Sequence, residues 1–191
     1  LVEDSVYAQV VSSVAGAAAN RPIGDALAAS TFIGPLISET HAARVRGFVD
    51  RAVGAGAAEV VGGGTVPDGS ITTFVAPTVL GRVQPGSEIA QSEVFGPVLA
   101  AMPFANEDEA IEIANGTRYG LNATVFTRDV ERAFRMADRL DVGEVNVNCH
   151  FAPEMNGGRG EPRKSSGFSR TGVEAYTALK AVNLQIGAAR G

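Results

Sequence analysis

The sequence predicts an α/β fold with a mostly parallel sheet flanked by helices. Three observations carry that expectation. Residues 97–148 alternate strand, helix, strand, helix, strand, and such alternation builds parallel sheets with right-handed crossovers. Of the 191 residues, 45% are hydrophobic and 19% charged, a globular composition. The 23 glycines and 9 prolines exceed the usual share and imply many turns. A chain of this length buries roughly 70% of its unfolded surface, enough for a sizeable core.

The elements follow in order. Residues 5–18 predict a helix capped by Ser5, with Tyr7, Val10, Val11 and Val14 at helical spacing. Residues 20–37, with Pro22, Gly24, Gly34 and Pro35, read as irregular. Ser38 caps a second helix from Glu39 to Val53, with an apolar stripe of Val45, Phe48, Val49 and Ala52. Gly54 and Gly56 end it. Glu59-Val60-Val61 is a short strand. Residues 71–83 are β-branched but broken by Pro77, which predicts extended chain or edge strands. Val98 to Phe104 reads as a strand, and Asn106 caps a helix with Glu109 at its third position. Asn122 to Thr127 is a strand, and Asp129 caps a helix with Val130, Ala133, Phe134, Ala137 and Leu140 on one face. Glu144 to Asn148 alternates polar residues with Val145 and Val147. A loop over 151–170, a short helix over 171–178 and a terminal strand over 180–186 complete the chain.

Composition also excludes function classes. The chain has 21 acidic and 16 basic residues, a net charge of -5. That balance argues against nucleic acid or an anionic membrane as partner. Cys149 is the single cysteine, so no internal disulfide forms. No apolar run approaches the roughly 20 residues of a membrane helix. The opening Leu1-Val2-Glu3-Asp4 has no basic segment ahead of an apolar stretch, which reads as no signal peptide and a cytoplasmic protein.

Residue by residue, no complete active site assembles. Gly54-Ala55-Gly56 follows a helix and precedes a strand, the reverse of a dinucleotide fingerprint, so it reads as a helix end. Gly157-Gly158-Arg159-Gly160 lacks the Lys-Ser/Thr of a phosphate loop. His41 and His150 lie far apart, and no metal site is expected. Cys149 and His150 are adjacent, and adjacent strand residues point to opposite faces. The favoured reading of Cys149 is therefore a buried, inert thiol, with a nucleophile the lesser alternative.

Glu93-Val94-Phe95-Gly96-Pro97-Val98 resembles a motif of the NAD(P)-dependent aldehyde dehydrogenase superfamily. Its neighbours match in the same order. They include Gly34-Pro35-Leu36-Ile37-Ser38 and Gly62-Gly63 upstream, then Tyr119-Gly120-Leu121 and Gly143-Glu144-Val145-Asn146-Val147-Asn148 downstream. Lys164-Ser165-Ser166-Gly167-Phe168 and Ala175-Tyr176-Thr177-Ala178-Leu179-Lys180 also match. The loop over 155–170 departs from the family pattern through an apparent insertion. The resemblance implies an aldehyde-dehydrogenase-like catalytic domain over 1–175 and a C-terminal oligomerisation strand and tail over 176–191. It places the chain just after the catalytic cysteine, with the N-terminal NAD-binding domain, the general-base Glu and the oxyanion Asn upstream. No catalytic residue is then expected within this chain, and the fragment alone is expected to be inactive.

The chemistry the resemblance implies for the intact enzyme is oxidation of an aldehyde to a carboxylic acid. A thiolate attacks the aldehyde, hydride passes to NAD or NADP, and an activated water releases the acid from a thioester. By the same resemblance Glu93 accepts hydrogen bonds from the nicotinamide ribose, Phe95 lies against the nicotinamide and Leu121 is an apolar contact nearby. Without it, a surface Glu and two core apolar residues would be the simpler reading. His150 and Phe151 are candidates for the wall of the aldehyde pocket. A homo-oligomer, dimer or tetramer, is implied through the terminal strand. Two other readings stay open. One is a CoA-acylating or semialdehyde-specific relative; the other is a non-catalytic structural or assembly module of the same fold.

Overall fold

The computed structural model describes residues 1–66, 72–149 and 180–184. Ile71, the loop and helix expected over 151–178, and the end of the terminal strand past 184 lie outside the described residues. The chain forms two compact units, Leu1–Asn106 and Glu107–Gly191.

In the first unit, β1 (Val2–Glu3) pairs in parallel with β5 (Pro103–Phe104). A 3-10 turn (Asp4–Val6) leads into α1 (Tyr7–Ala19). Ser5 is therefore not the cap. The N-cap is Val6, with no side-chain bond, because the β1 pairing keeps Val2–Glu3 extended and delays the helix start. Helix α2 (Glu39–Gly54) begins as expected, with Ser38 Oγ accepting from His41 N at 3.1 Å.

The central sheet of this unit runs β2 (Glu59–Gly63), β3 (Thr78–Gly81), β4 (Val98–Ala100). β2 and β3 are antiparallel with a bulge between Val60 and Gly62, whereas β3 and β4 are parallel. β3 is thus the middle strand and not an edge. Pro77 is accommodated because it precedes β3 and its ring nitrogen is asked for no ladder bond. Both faces of β3 are covered. Val79 joins Tyr7, Val11, Ala15 and Ala101 beneath α1. Leu80 joins Phe48, Ala52, Val83 and Ile89 beneath α2 and a short helix α3 (Glu88–Gln91). A strand buried on both faces has a continuous apolar run, as here.

The strand expected over 98–104 divides in two. Its break at Ala101 follows from where that carbonyl goes: it accepts Val83 N at 3.1 Å and Tyr7 Oη at 3.1 Å. The same Tyr7 oxygen accepts Arg82 N at 2.5 Å. One buried hydroxyl therefore closes the ends of two strands.

The second unit carries α4 (Glu107–Asn115), β6 (Asn122–Val125), α5 (Val130–Arg139), β7 (Glu144–Val147) and β8 (Ala181–Leu184). Its sheet, β6-β7-β8, is wholly parallel. The alternation over 97–148 is therefore present, but its first strand, β4, belongs to the other unit's sheet. Ala133, Ala137 and Leu140 pack on Val145 and Val147. Phe134, expected on that face, is 60% exposed, and Val130 is exposed with it. The buried stripe is 133–137–140, and positions 130 and 134 fall at its edge on a helix turning about 100° per residue.

The other face of β7 is polar and buried. Asn146 Nδ2 donates to Glu144 Oε1 at 2.9 Å, and Asn183 Nδ2 reaches Glu144 Oε1 and Asn146 Oδ1 at 3.3 Å each. These bonds fix the β7–β8 register, since a slip would strand buried polar groups. Lys180 Nζ donates to Ala137 O at 2.8 Å and to Leu140 O, closing the end of α5.

Asp129 caps α5, its Oδ1 accepting Glu131 N at 2.9 Å and Arg132 N at 3.1 Å. The Arg132 and Glu131 backbone N–H groups hold its carboxyl below the ordinary range. The Arg135 guanidinium does the same for Glu107. A carboxyl with a lowered folded-state pKa stabilises above its unfolded pKa, and the contribution is lost as pH falls through the folded value. Stability is expected to fall below pH about 4. Asp129→Asn, which keeps a capping oxygen without the titration, should flatten that fall. Urea unfolding at neutral and acid pH checks this; an unchanged slope counts against it.

Candidate functional site

The site is built on residues 92–96, between α3 and β4. Helix α3 is tied to α2 by a two-pronged ion pair, Arg51 Nε to Glu88 Oε2 at 2.8 Å and Nη2 to Oε1 at 3.0 Å. That pair holds the Glu88 carboxyl below its usual value. Ser92 follows in extended conformation. Val94 then turns inward against the clusters around Phe48 and Val45. Its neighbours Glu93 and Phe95 are exposed, Phe95 to 73%. Gly96 closes the segment against α2: a Cβ there would lie 2.8 Å from both methyl groups of the fully buried Val45.

The backbone of this segment forms no strand. Its three successive carbonyls are taken by two side chains of α2. Arg44 Nη2 donates to Glu93 O and Nη1 to Val94 O, each at 2.9 Å. His41 Nε2 donates to Phe95 O at 2.8 Å. The His41 and Phe95 rings meet edge-on, centroids 6.2 Å apart. Phe95 itself is left-handed, φ 56°, a conformation L-residues avoid without surrounding support. The result is a carboxylate and an aromatic ring on exposed residues, carried by a backbone held at three successive carbonyls. A carboxylate offers two acceptor oxygens, which suits a vicinal diol; an exposed ring offers a flat apolar face.

The sequence model of the aldehyde dehydrogenase family matches residues 1–182. The chain belongs to that family. It is 47% identical over 165 residues to a 3,6-anhydro-alpha-L-galactose dehydrogenase of Streptomyces coelicolor, covering 83% of this chain and 33% of that protein. It is 38% identical over 182 residues to a geranial dehydrogenase of Castellaniella defragrans, covering 93% of this chain and 37% of that protein. Among solved structures it is similar to an aldehyde dehydrogenase of Mycobacterium tuberculosis complexed with NAD+. The TM-score there is 0.74 at 36% identity, over 79% of this chain and 31% of that one. The HpcC from Thermus thermophilus gives a TM-score of 0.78 at 37% identity, over 85% of this chain and 32% of that one. The chain spans about a third of the length of the relatives it matches.

In this aldehyde dehydrogenase family chain, Glu93 and Phe95 stand on one segment, whereas Leu121 belongs to the second unit, just ahead of β6, and is 47% exposed. Phe95 and Leu121 are exposed in this chain, where the simpler reading expected core, and Glu93 is exposed, as that reading expected. His150 and Phe151 lie outside the described residues. Cys149 is half-buried at the end of β7, with Sγ 4.0 Å from Asn146 Oδ1 and 3.9 Å from Asn183 O. Among the described residues no group of three or more His, Cys, Asp or Glu could hold a metal ion. No described helix is long and apolar enough to cross a membrane.

Sequence reasoning missed His41 and Arg44. Their spacing of three does put them on one helix face beside Val45. Nothing in the sequence shows that this face meets a segment about fifty residues later.

Proposed function

We propose that this chain is part of an NAD(P)-dependent aldehyde dehydrogenase, an oxidoreductase taking an aldehyde to a carboxylic acid. Its share of that enzyme is the wall on which the nicotinamide end of NAD or NADP rests. The observation that carries this reading is the paired display of Glu93 and Phe95 from the clamped segment. Family membership and the NAD+-bound relative support it. In this reading Glu93 accepts from the ribose hydroxyls, Phe95 covers one face of the nicotinamide and keeps water from it, and Leu121 adds an apolar contact. His150 and Phe151 are assigned to the aldehyde pocket. When bound, NAD(P)+ supplies the hydride acceptor. The nucleophile and general base are assigned to the rest of the longer polypeptide, and no residue of this chain is given a catalytic role.

The same reading takes residues 1–175 as catalytic domain and 176–191 as oligomerisation strand and tail. The position of β8 at the end of its sheet, paired only with β7 among the described residues, supports a homo-oligomer formed there. A cytoplasmic location completes it.

The test is Glu93→Gln in the full-length enzyme. Losing one charge-assisted hydrogen bond is expected to raise the NAD(P) dissociation constant or slow hydride transfer about tenfold. Unchanged binding and unchanged single-turnover rate would remove Glu93 from the cofactor site.

A further inference from the structure

We propose that Arg44 and His41 are positioning residues, which preset the Glu93–Phe95 backbone in the shape that engages the nicotinamide ribose end of the dinucleotide. The inference rests on the cofactor reading of Glu93 and Phe95 given above. It starts from a conformation that needs a cause. Phe95 is left-handed at φ 56°, and apart from the edge contact with His41 its ring is largely in solvent, so core packing does not hold it there. For an L-residue the left-handed region is disfavoured by roughly 5- to 30-fold in population. A segment without a ladder partner would relax out of it.

Three bonds oppose that relaxation. The carbonyls of residues 93, 94 and 95 each accept from a side chain of α2, at 2.9, 2.9 and 2.8 Å. The donors are themselves fixed. The guanidinium of Arg44 lies over the ring of Phe48, 4.8 Å from its centroid, and Phe48 is buried. That stacking sets the plane of the fork, so its two terminal nitrogens meet two successive carbonyls. His41 sits in the first turn of α2, where its own backbone N–H is bound by the Ser38 cap. Arg44 and His41 thus act on the ligand through Glu93 and Phe95. When only part of the population is in the binding-competent shape, the apparent dissociation constant rises by the reciprocal of that fraction.

Lys and Arg differ sharply at such a position. A Lys ammonium keeps the charge but has no planar fork to span two carbonyls. In the full-length enzyme, Arg44→Lys and Arg44→Ala are both expected to weaken NAD binding about 5- to 30-fold by titration calorimetry. The KM for NAD should rise further than kcat falls. His41→Gln, whose amide can still donate to Phe95 O, should recover most of the affinity that His41→Ala loses. Melting temperatures of all four variants separate this from misfolding.

Arg44→Lys with unaltered NAD affinity would overturn the proposal, since charge alone would then suffice. A lowered melting temperature with unaltered affinity in every variant would overturn it too. If Glu93→Gln weakens NAD binding while Arg44→Ala does not, the clamp falls and the cofactor reading stands. If Glu93→Gln and Phe95→Ala both leave affinity unaltered, the cofactor reading falls and takes the clamp with it.

Discussion

Gly96→Ala is expected to cost about 1–3 kcal/mol of stability and to weaken NAD binding in the same protein. The new Cβ would sit 2.8 Å from Val45 Cγ1 and Cγ2. Val45 is fully buried among Ala42 and Val75, with Val94 and Val98 packed against them, so its methyl groups have little room to retreat. Close-packed interiors answer such a clash by shifting backbone. The backbone that shifts first is residues 93–96, which carries Glu93 and Phe95. The double variant Val45→Ala/Gly96→Ala should be more stable than the sum of the two single effects, because the smaller residue vacates the contested space. Denaturant unfolding of the four proteins in a cycle reads that coupling directly. Additive effects would mean the clash is absorbed elsewhere.

Gly63→Ala should be the more damaging substitution, costing about 3 kcal/mol or more. Gly63 ends β2 opposite Thr78, with φ 157°. A Cβ there would lie 1.9 Å from the carbonyl oxygen of Pro77, and that same oxygen accepts Gly64 N at 3.0 Å. A backbone obstacle cannot rotate aside as a side chain can. The β2–β3 pairing must therefore open from this end, uncovering Val79 beneath α1. Gly16→Ala is the control of opposite sign. It lies within α1 with nothing within 4 Å of its would-be Cβ, so it should gain about 0.5–1 kcal/mol. Equal melting temperatures for the two variants would contradict the packing described for β2 and β3.

The helices were the most legible part of the fold. Ser38 and Asp129 cap α2 and α5 as their positions predict, because capping and apolar periodicity are relations among residues four or fewer apart. Where a distant partner intervenes, the local signal misleads. Ser5 looks like a cap but lies in a turn set by β1 pairing with a strand a hundred residues on. Phe134 looks like a core residue, yet α5 packs through its alanines. Pro77 suggests an edge, yet β3 is central, because the proline precedes the ladder.

The candidate site divides in the same way. Glu93 and Phe95 are legible from the ordered motifs around them, and the sequence alone was sufficient for the α/β class and the family. It could not show that Phe95 would be left-handed, nor that three consecutive carbonyls would be held by His41 and Arg44, 49 to 54 residues away. Nor could it show Glu144 and Asn146 buried together on one face of β7 with Asn183 between them. Each of these depends on which faces meet once α2 packs on its sheet and β8 joins β7. Those encounters are decided by the packing of the whole unit. A residue's own neighbours in the chain carry the period and the cap, and nothing about the surface it will finally touch.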